Sequence, residues 1–136
     1  MTGRRVYQSG SRWALWRWTD VDFQGETYLL RLHILKTPWF GFMLNWIKSA
    51  DPHPDPHDHP VNFLSIVLRG GYVEWRPQGL RDRKVRLYRA KDIHRIVHAE
   101  PGTLTLCIAG EKVRDWGFHT SEGFVPWREY RTAFKE

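Results

Sequence analysis

Three of the chain's seven histidines and three aspartates fall within nine residues, Asp51-Pro52-His53-Pro54-Asp55-Pro56-His57-Asp58-His59. His57 and His59 are two apart. In extended backbone alternate side chains share a face, so both imidazoles can reach one metal ion. Pro52, Pro54, Pro56 and Pro60 forbid a helix and hold the stretch extended. Asp55 or Asp58 is placed to accept the second ring N–H of a ligating histidine and so orient it. Read structurally instead, the two histidines are exposed polar residues of a Pro-rich loop. Their company favours the metal.

The elements that must carry this stretch read as strands. Residues 12–19 form a first strand after a polar, loosely ordered segment over 1–12. A turn around Gly25 leads to a strand over 27–36, with Arg31 and His33 on one face and Leu30, Leu32 and Ile34 on the other. Strands follow over 41–49 and 62–69, the latter apolar almost throughout, as in a strand buried on both faces. Gly70-Gly71 signals a hairpin turn into a return strand over 72–76. Residues 77–82 read as a loop. Over 84–88 basic and apolar residues alternate, giving one wet face. Further strands are expected over 93–98 (His94, Ile96 and His98 together) and 103–109, with a last one over 116–119. Pro126 opens a short helix with Trp127, Tyr130 and Phe134 on one face. Short strands with tight turns and little helix predict an all-β sandwich or barrel.

The 136 residues fit one domain over 1–136, and 41% hydrophobic content can bury a core. Eight tryptophans are many for this length; some are expected to line a cavity or interface, because indole N–H groups need partners. The net charge of +6 suits an anionic partner or a generally basic surface. Basic residues cluster at Arg81, Arg83, Lys84, Arg86 and Arg89, interrupted by Asp82, and no nucleic-acid motif surrounds them. Cys107 is the single cysteine, so no internal disulfide forms, which suits a reducing cytosol. It reads as a small buried hydrophobe. No apolar run has signal-peptide or membrane-span length. The expected location is the cytoplasm, with no membrane partner.

The residues resemble the cupin superfamily. Its first motif is His-x-His, then three or four residues, an acidic residue, six more and a glycine. Here His57-Asp58-His59 is followed at the right distance by Gly70, but Phe63 stands where the motif has Glu. The second motif places one histidine in a strand, and His94-Arg95-Ile96 is similar to it, without the preceding glycine and proline and with His98 where asparagine is common. More closely, the chain is similar to short cupin-domain proteins through Lys36-Thr37-Pro38-Trp39, His57 to Pro60, Leu68 to Glu74, His94 to Ile96 and Trp116 to His119.

The resemblance implies a double-stranded β-helix (jelly-roll) barrel and a homodimer, for which the Trp-rich N-terminal stretch is one candidate contact. It also implies a metal held by His57, His59 and His94. His98 competes with His94, while His33, His53 and His119 are reserves or structural. Three neutral imidazoles suit Fe(II) bound by a chelating anion, with Zn(II), Mn(II) or Ni(II) as alternatives. Arg69, Arg31 and Tyr72 are candidates to grip an anionic substrate at the barrel mouth, and Trp46, Trp75 and Trp39 to form an apolar wall. The leading expectation is an iron dioxygenase-like oxidoreductase. The alternatives are a sugar isomerase or epimerase, and a non-catalytic module that binds a small ligand or nucleic acid. Loss of the motif Glu leaves open either a three-histidine site or a lost metal.

Overall fold

The computed structural model describes residues 12–23 and 25–133. The loose ordering expected of 1–12 and the helical place of Phe134 therefore lie outside the described residues, Arg12 apart. The strands are β1 (Ala14–Phe23), β2 (Glu26–Lys36), β3 (Gly41–Ile47), β4 (Phe63–Arg69), β5 (Tyr72–Arg76), β6 (Gly79–Arg81), β7 (Val85–Tyr88), β8 (Arg95–Ala99), β9 (Thr103–Ala109), β10 (Gly117–Thr120) and β11 (Gly123–Pro126). One helix, α1 (Trp127–Ala133), follows. All pairings are antiparallel. A six-stranded sheet runs β1-β2-β3-β9-β4-β7, a three-stranded one β6-β5-β8, and β10 pairs with β11. The all-β jelly-roll expectation with a short C-terminal helix is met.

Two local expectations fail for physical reasons. Gly70-Gly71 does not close a hairpin, because β4 and β5 lie in different sheets. It is a corner against β9. Gly70 has φ +77°, and a Cβ there would stand 2.6 Å from Thr103 Oγ1, so only glycine fits. Gly71 N–H then donates to the same hydroxyl. The hairpin lies one strand later, where β5 turns through Pro77-Gln78 into β6 within the expected loop.

The six-stranded sheet buries Val21, Leu32 and Ile47 in the ordinary way, but much of β3, β4, β7 and β9 is inverted. Asn45, Thr103, Thr105, Ser65 and Arg86 point inward and are buried, whereas Leu44, Leu104, Leu106, Ile108, Leu64 and Ile66 lie on the opposite face and are only half buried. The inward direction is fixed by contacts across the barrel: Ser65 Oγ lies 3.5 Å from the hydroxyl of Tyr72 in the other sheet, and Arg86 Nη2 donates to the Tyr72 carbonyl. In β7 the wet face is the apolar one. Val85 and Leu87 are exposed, and Arg86 and Tyr88 are inside. Likewise 62–69 is not buried on both faces, since Leu68 is exposed. Apolar packing gathers in three clusters: Trp116, Phe118, Trp127 and Tyr130; Val21 with Tyr28; and Ile47 with Tyr72 and Ala99. Trp116 and Trp127 stack at 6.0 Å, and Phe118 and Tyr130 at 3.7 Å.

Candidate metal centre

The His/Pro/Asp stretch is not a strand. It bends over 53–55 and then runs as coil through His57 and His59, held by single bridges at His57. His57 exchanges both backbone hydrogen bonds with His94 (2.9 and 3.0 Å), and His59 N–H donates to the Ala90 carbonyl. The two-residue alternation survives. His57 and His59 face the same way, ring centroids 5.0 Å apart, while Asp58 points to the other side. There Asp58, fully buried, accepts from Gly117 N–H and contacts His119 Nε2 (3.0 Å) and Arg114 Nη1 (2.7 Å). Asp58 thus ties the tail to the loop. Asp55 accepts from the Tyr130 hydroxyl. Neither carboxylate orients a candidate ligand, contrary to expectation.

His57, His59 and His94 each offer a ligand atom within 4.8 Å of the others. The Nε2 atoms of His59 and His94 are 3.1 Å apart. Cis ligands at about 2.1 Å from one ion stand roughly 3 Å apart, so this spacing suits a shared ion. The Nδ1 atoms of His57 and His59 are buried without a hydrogen-bond partner, and a buried polar atom normally has one. Burial, and the positive charges of neighbouring histidines and arginines, hold His57 and His59 well below their ordinary pKa. Both are therefore neutral and able to coordinate. The donors fit a divalent transition metal.

Sequence reasoning missed the carboxylate that organises this trio. Glu74, on the inner face of β5 and fully buried, accepts from His94 Nδ1 at 2.5 Å and from the Tyr88 hydroxyl at 2.7 Å through the same oxygen. Its other oxygen accepts from Arg76 Nε at 2.9 Å and lies 3.4 Å from Arg86 Nη1. Burial alone would raise the Glu74 carboxyl; the hydrogen bonds and charges of His94, Tyr88 and Arg76 outweigh it and hold its pKa low. An ionised Glu74 makes His94 Nδ1 the protonated nitrogen and leaves Nε2 as the ligand atom. The one available signal was an acidic residue two positions from Tyr72 and Arg76 on a short strand of alternating pattern. At the motif-Glu position, Phe63 stacks on Tyr88 (4.4 Å) and sets its ring against the edge of His59 (4.8 Å).

A second trio, Asp51, His53 and His57, also has ligand atoms within 4.8 Å and shares His57. His53 lies in the loop but is buried there, among Phe23, Tyr28, Phe118 and Tyr130. Asp51 Oδ2 is 4.0 Å from His57 Nδ1 and already accepts from Ile96 N–H.

The other expected residues divide. Arg31 points into the barrel, donating to Asn45 Oδ1 at 2.6 Å, and its charge is felt by His59 and Cys107. Tyr72 is inside, its hydroxyl 3.1 Å from that of Tyr88 and one link from Glu74. Arg69 and Trp46 are outside. A bulge between Val67 and Arg69 rotates Arg69 onto the face of Leu104, where its guanidinium lies 5.7 Å from the Trp46 ring. Trp39 and Trp75 are exposed too, so none of the three expected wall tryptophans lines the interior. A bulge between Val73 and Glu74 likewise separates His98, which is exposed, from the face of Ile96. His33 is buried, its pKa pushed down to about 3 by burial and then by Arg31, Lys36 and Arg17. Burial pushes the Cys107 thiol up, and Asn45 Nδ2 donates to its sulfur, so it is no nucleophile.

No protein-family model and no curated protein matches this chain. Solved structures do. KdgF from a Halomonas species matches with TM-score 0.57 at 18% identity, covering 71% of this chain and 89% of that one. A putative mannose-6-phosphate isomerase from Ralstonia eutropha matches with TM-score 0.56 at 17% identity, over 68% and 92%. An RmlC-like cupin from Shewanella frigidimarina matches with TM-score 0.53 at 11% identity, over 84% and 96%. The fold is that of the cupin superfamily, and at such identities the likeness extends to the fold alone.

Proposed function

We propose that this cupin-fold chain is a mononuclear metal-dependent enzyme acting on a small anionic molecule, with His57, His59 and His94 as ligands. The observation that carries this reading is the histidine trio, His94 buried and His57 and His59 half buried, with ligand atoms within 4.8 Å of one another, backed by the Glu74 carboxylate on His94. When bound, the metal supplies Lewis-acid or redox chemistry at open coordination positions. The protein's part is positioning. Glu74 fixes the tautomer of His94. The Arg31 guanidinium, steered by Asn45, faces the same interior as the trio and suits a carboxylate or phosphate substituent. Phe63 and Tyr88 wall off water beside His59.

Three neutral imidazoles and no carboxylate ligand favour Fe(II) with an anionic chelating substrate, hence an oxygenase-like reaction; Zn(II), Mn(II) and Ni(II) are the competing ions. A sugar isomerase is the second reading, supported by the neighbour described as a putative mannose-6-phosphate isomerase and by the buried Tyr72–Tyr88–Glu74–His94 chain, which can hold a proton near substrate. Oxygen uptake by the Fe(II)-loaded protein over a panel of small thiols, carboxylates and sugar phosphates separates the two. Substrate-dependent uptake supports the oxygenase. Sugar-phosphate turnover without uptake supports the isomerase.

A homodimer and a cytoplasmic setting belong to the same reading. The apolar outer face of the six-stranded sheet supports the dimer: Trp46 is 42% exposed and Leu87 70%, with Leu44, Leu106 and Ile66 between. An apolar face of this kind marks an interface. Cys107, the single cysteine and buried as a free thiol, suits a reducing compartment.

A further inference from the structure

β6 is an edge strand of the smaller sheet and β7 of the larger, and residues of both, Arg81 with Val85, Arg86 and Leu87, line one open seam. A cleft of about 360 Å³ lies there, lined by Arg76, Arg81, Arg83 and Arg86, with Glu74 at its floor. A second cleft, of about 430 Å³, shares Arg76 and Arg81 and adds Lys91 and Asp92. Glu74 engages Arg76 and Arg86. Among the described residues, Arg81 and Arg83 have no carboxylate within ion-pair distance. Four guanidiniums against one carboxylate leave an excess of three positive charges in one cleft. The inner end is built rather than loose. The Arg86 side chain is 3% exposed, its Nε donates to the Arg83 carbonyl and its Nη2 to the Tyr72 carbonyl. Its Nη1 is buried, with the 3.4 Å ionic contact to Glu74 but no hydrogen-bond partner.

We propose that this seam binds a phosphate group carried on a small molecule. Several planar guanidiniums converging on one volume match the tetrahedral oxygens and double charge of a phosphate better than a single carboxylate. A nucleic-acid strand is the poorer occupant, because none of the cleft's lining residues is aromatic and single strands are held largely by base stacking. The site is separate from the histidine trio: Glu74 is the wall between them, one oxygen toward His94 and the other toward the arginines.

The test is calorimetric titration of inorganic phosphate into the full chain, treated with chelator, at low salt. The variants are the double substitution Arg81→Ala/Arg83→Ala, on residues that carry no internal ion pair, and His57→Ala. Saturable binding in wild type and in His57→Ala, weakened at least tenfold in the arginine double variant with an unchanged melting temperature, supports the site. The proposal is overturned by absence of saturable phosphate binding, by equal binding in the double variant, or by loss of binding in His57→Ala alone. Arginine-dependent binding of a single-stranded oligonucleotide without binding of inorganic phosphate overturns it as well.

Discussion

Replacing Glu74 by Gln changes charge without changing shape, so packing loss cannot account for its effects. The side chain is fully buried and faces His94, Tyr88, Arg76 and Arg86. Removing one partner of a buried ion pair costs about 3–5 kcal/mol. Arg76 is partly exposed and can rehydrate, whereas Arg86 is 3% exposed and cannot, which places the cost near the lower bound. At about 4 °C per kcal/mol for a domain of this size, Glu74→Gln should melt roughly 12 °C below wild type without metal. The loss of negative charge behind His94 also makes Nε2 a weaker donor, and outer-shell substitutions of this type weaken metal binding by about 10–100-fold. Scanning fluorimetry of the chelated proteins measures the first effect, and competition with a chromophoric chelator measures the second. A variant that melts within 3 °C of wild type and holds metal equally well refutes the role assigned to Glu74.

Other perturbations probe the remaining links. Asp58→Ala removes the anchor of Gly117, His119 and Arg114 and should cost about 3 kcal/mol, read as a lower urea midpoint; an unchanged midpoint contradicts the anchoring. His33, His53, His57 and His59 all have folded-state pKa values below the unfolded value near 6.5. The unfolded chain therefore binds more protons below that pH, and metal-free stability is full above about pH 6.5 and falls as pH drops. Urea melts at pH 7.5 and 5.5 test this, and equal midpoints would sink it. Trp46→Glu sets a carboxylate beside Arg69 in the middle of the apolar sheet face. Light scattering after size exclusion should then show a dimer becoming a monomer with the fold intact, whereas a monomeric wild type rejects the interface.

How far the sequence speaks differs from element to element. His57 and His59 are legible because extended chain alternates whether or not it belongs to a sheet, so the loss of the strand left their shared face intact. His94 followed from the cupin resemblance. Arg69 and His98 were misplaced for one reason: a bulge inserts a residue and turns everything beyond it to the other face, and no side-chain pattern marks these two bulges. The inverted patterning of β7 misleads in a related way. A basic/apolar alternation is the same string whichever face is inside, and only contacts across the barrel, such as those of Ser65 and Arg86 with Tyr72, decide it. Glu74 escaped notice because its role depends on β5 facing β7 and the His94 segment, contacts distant in sequence. A motif scan looks for the carboxylate at Phe63, where an aromatic wall stands instead.

The central claim is that one metal ion sits among His57, His59 and His94. Its most direct test is elemental mass spectrometry of protein purified without added metal or chelator, for wild type, His57→Ala and His94→Ala. The expected result is near-stoichiometric transition metal in wild type, foremost iron, lost in both variants. Wild-type protein that carries no metal and takes up none of Fe(II), Mn(II), Ni(II) or Zn(II) when supplied contradicts the account.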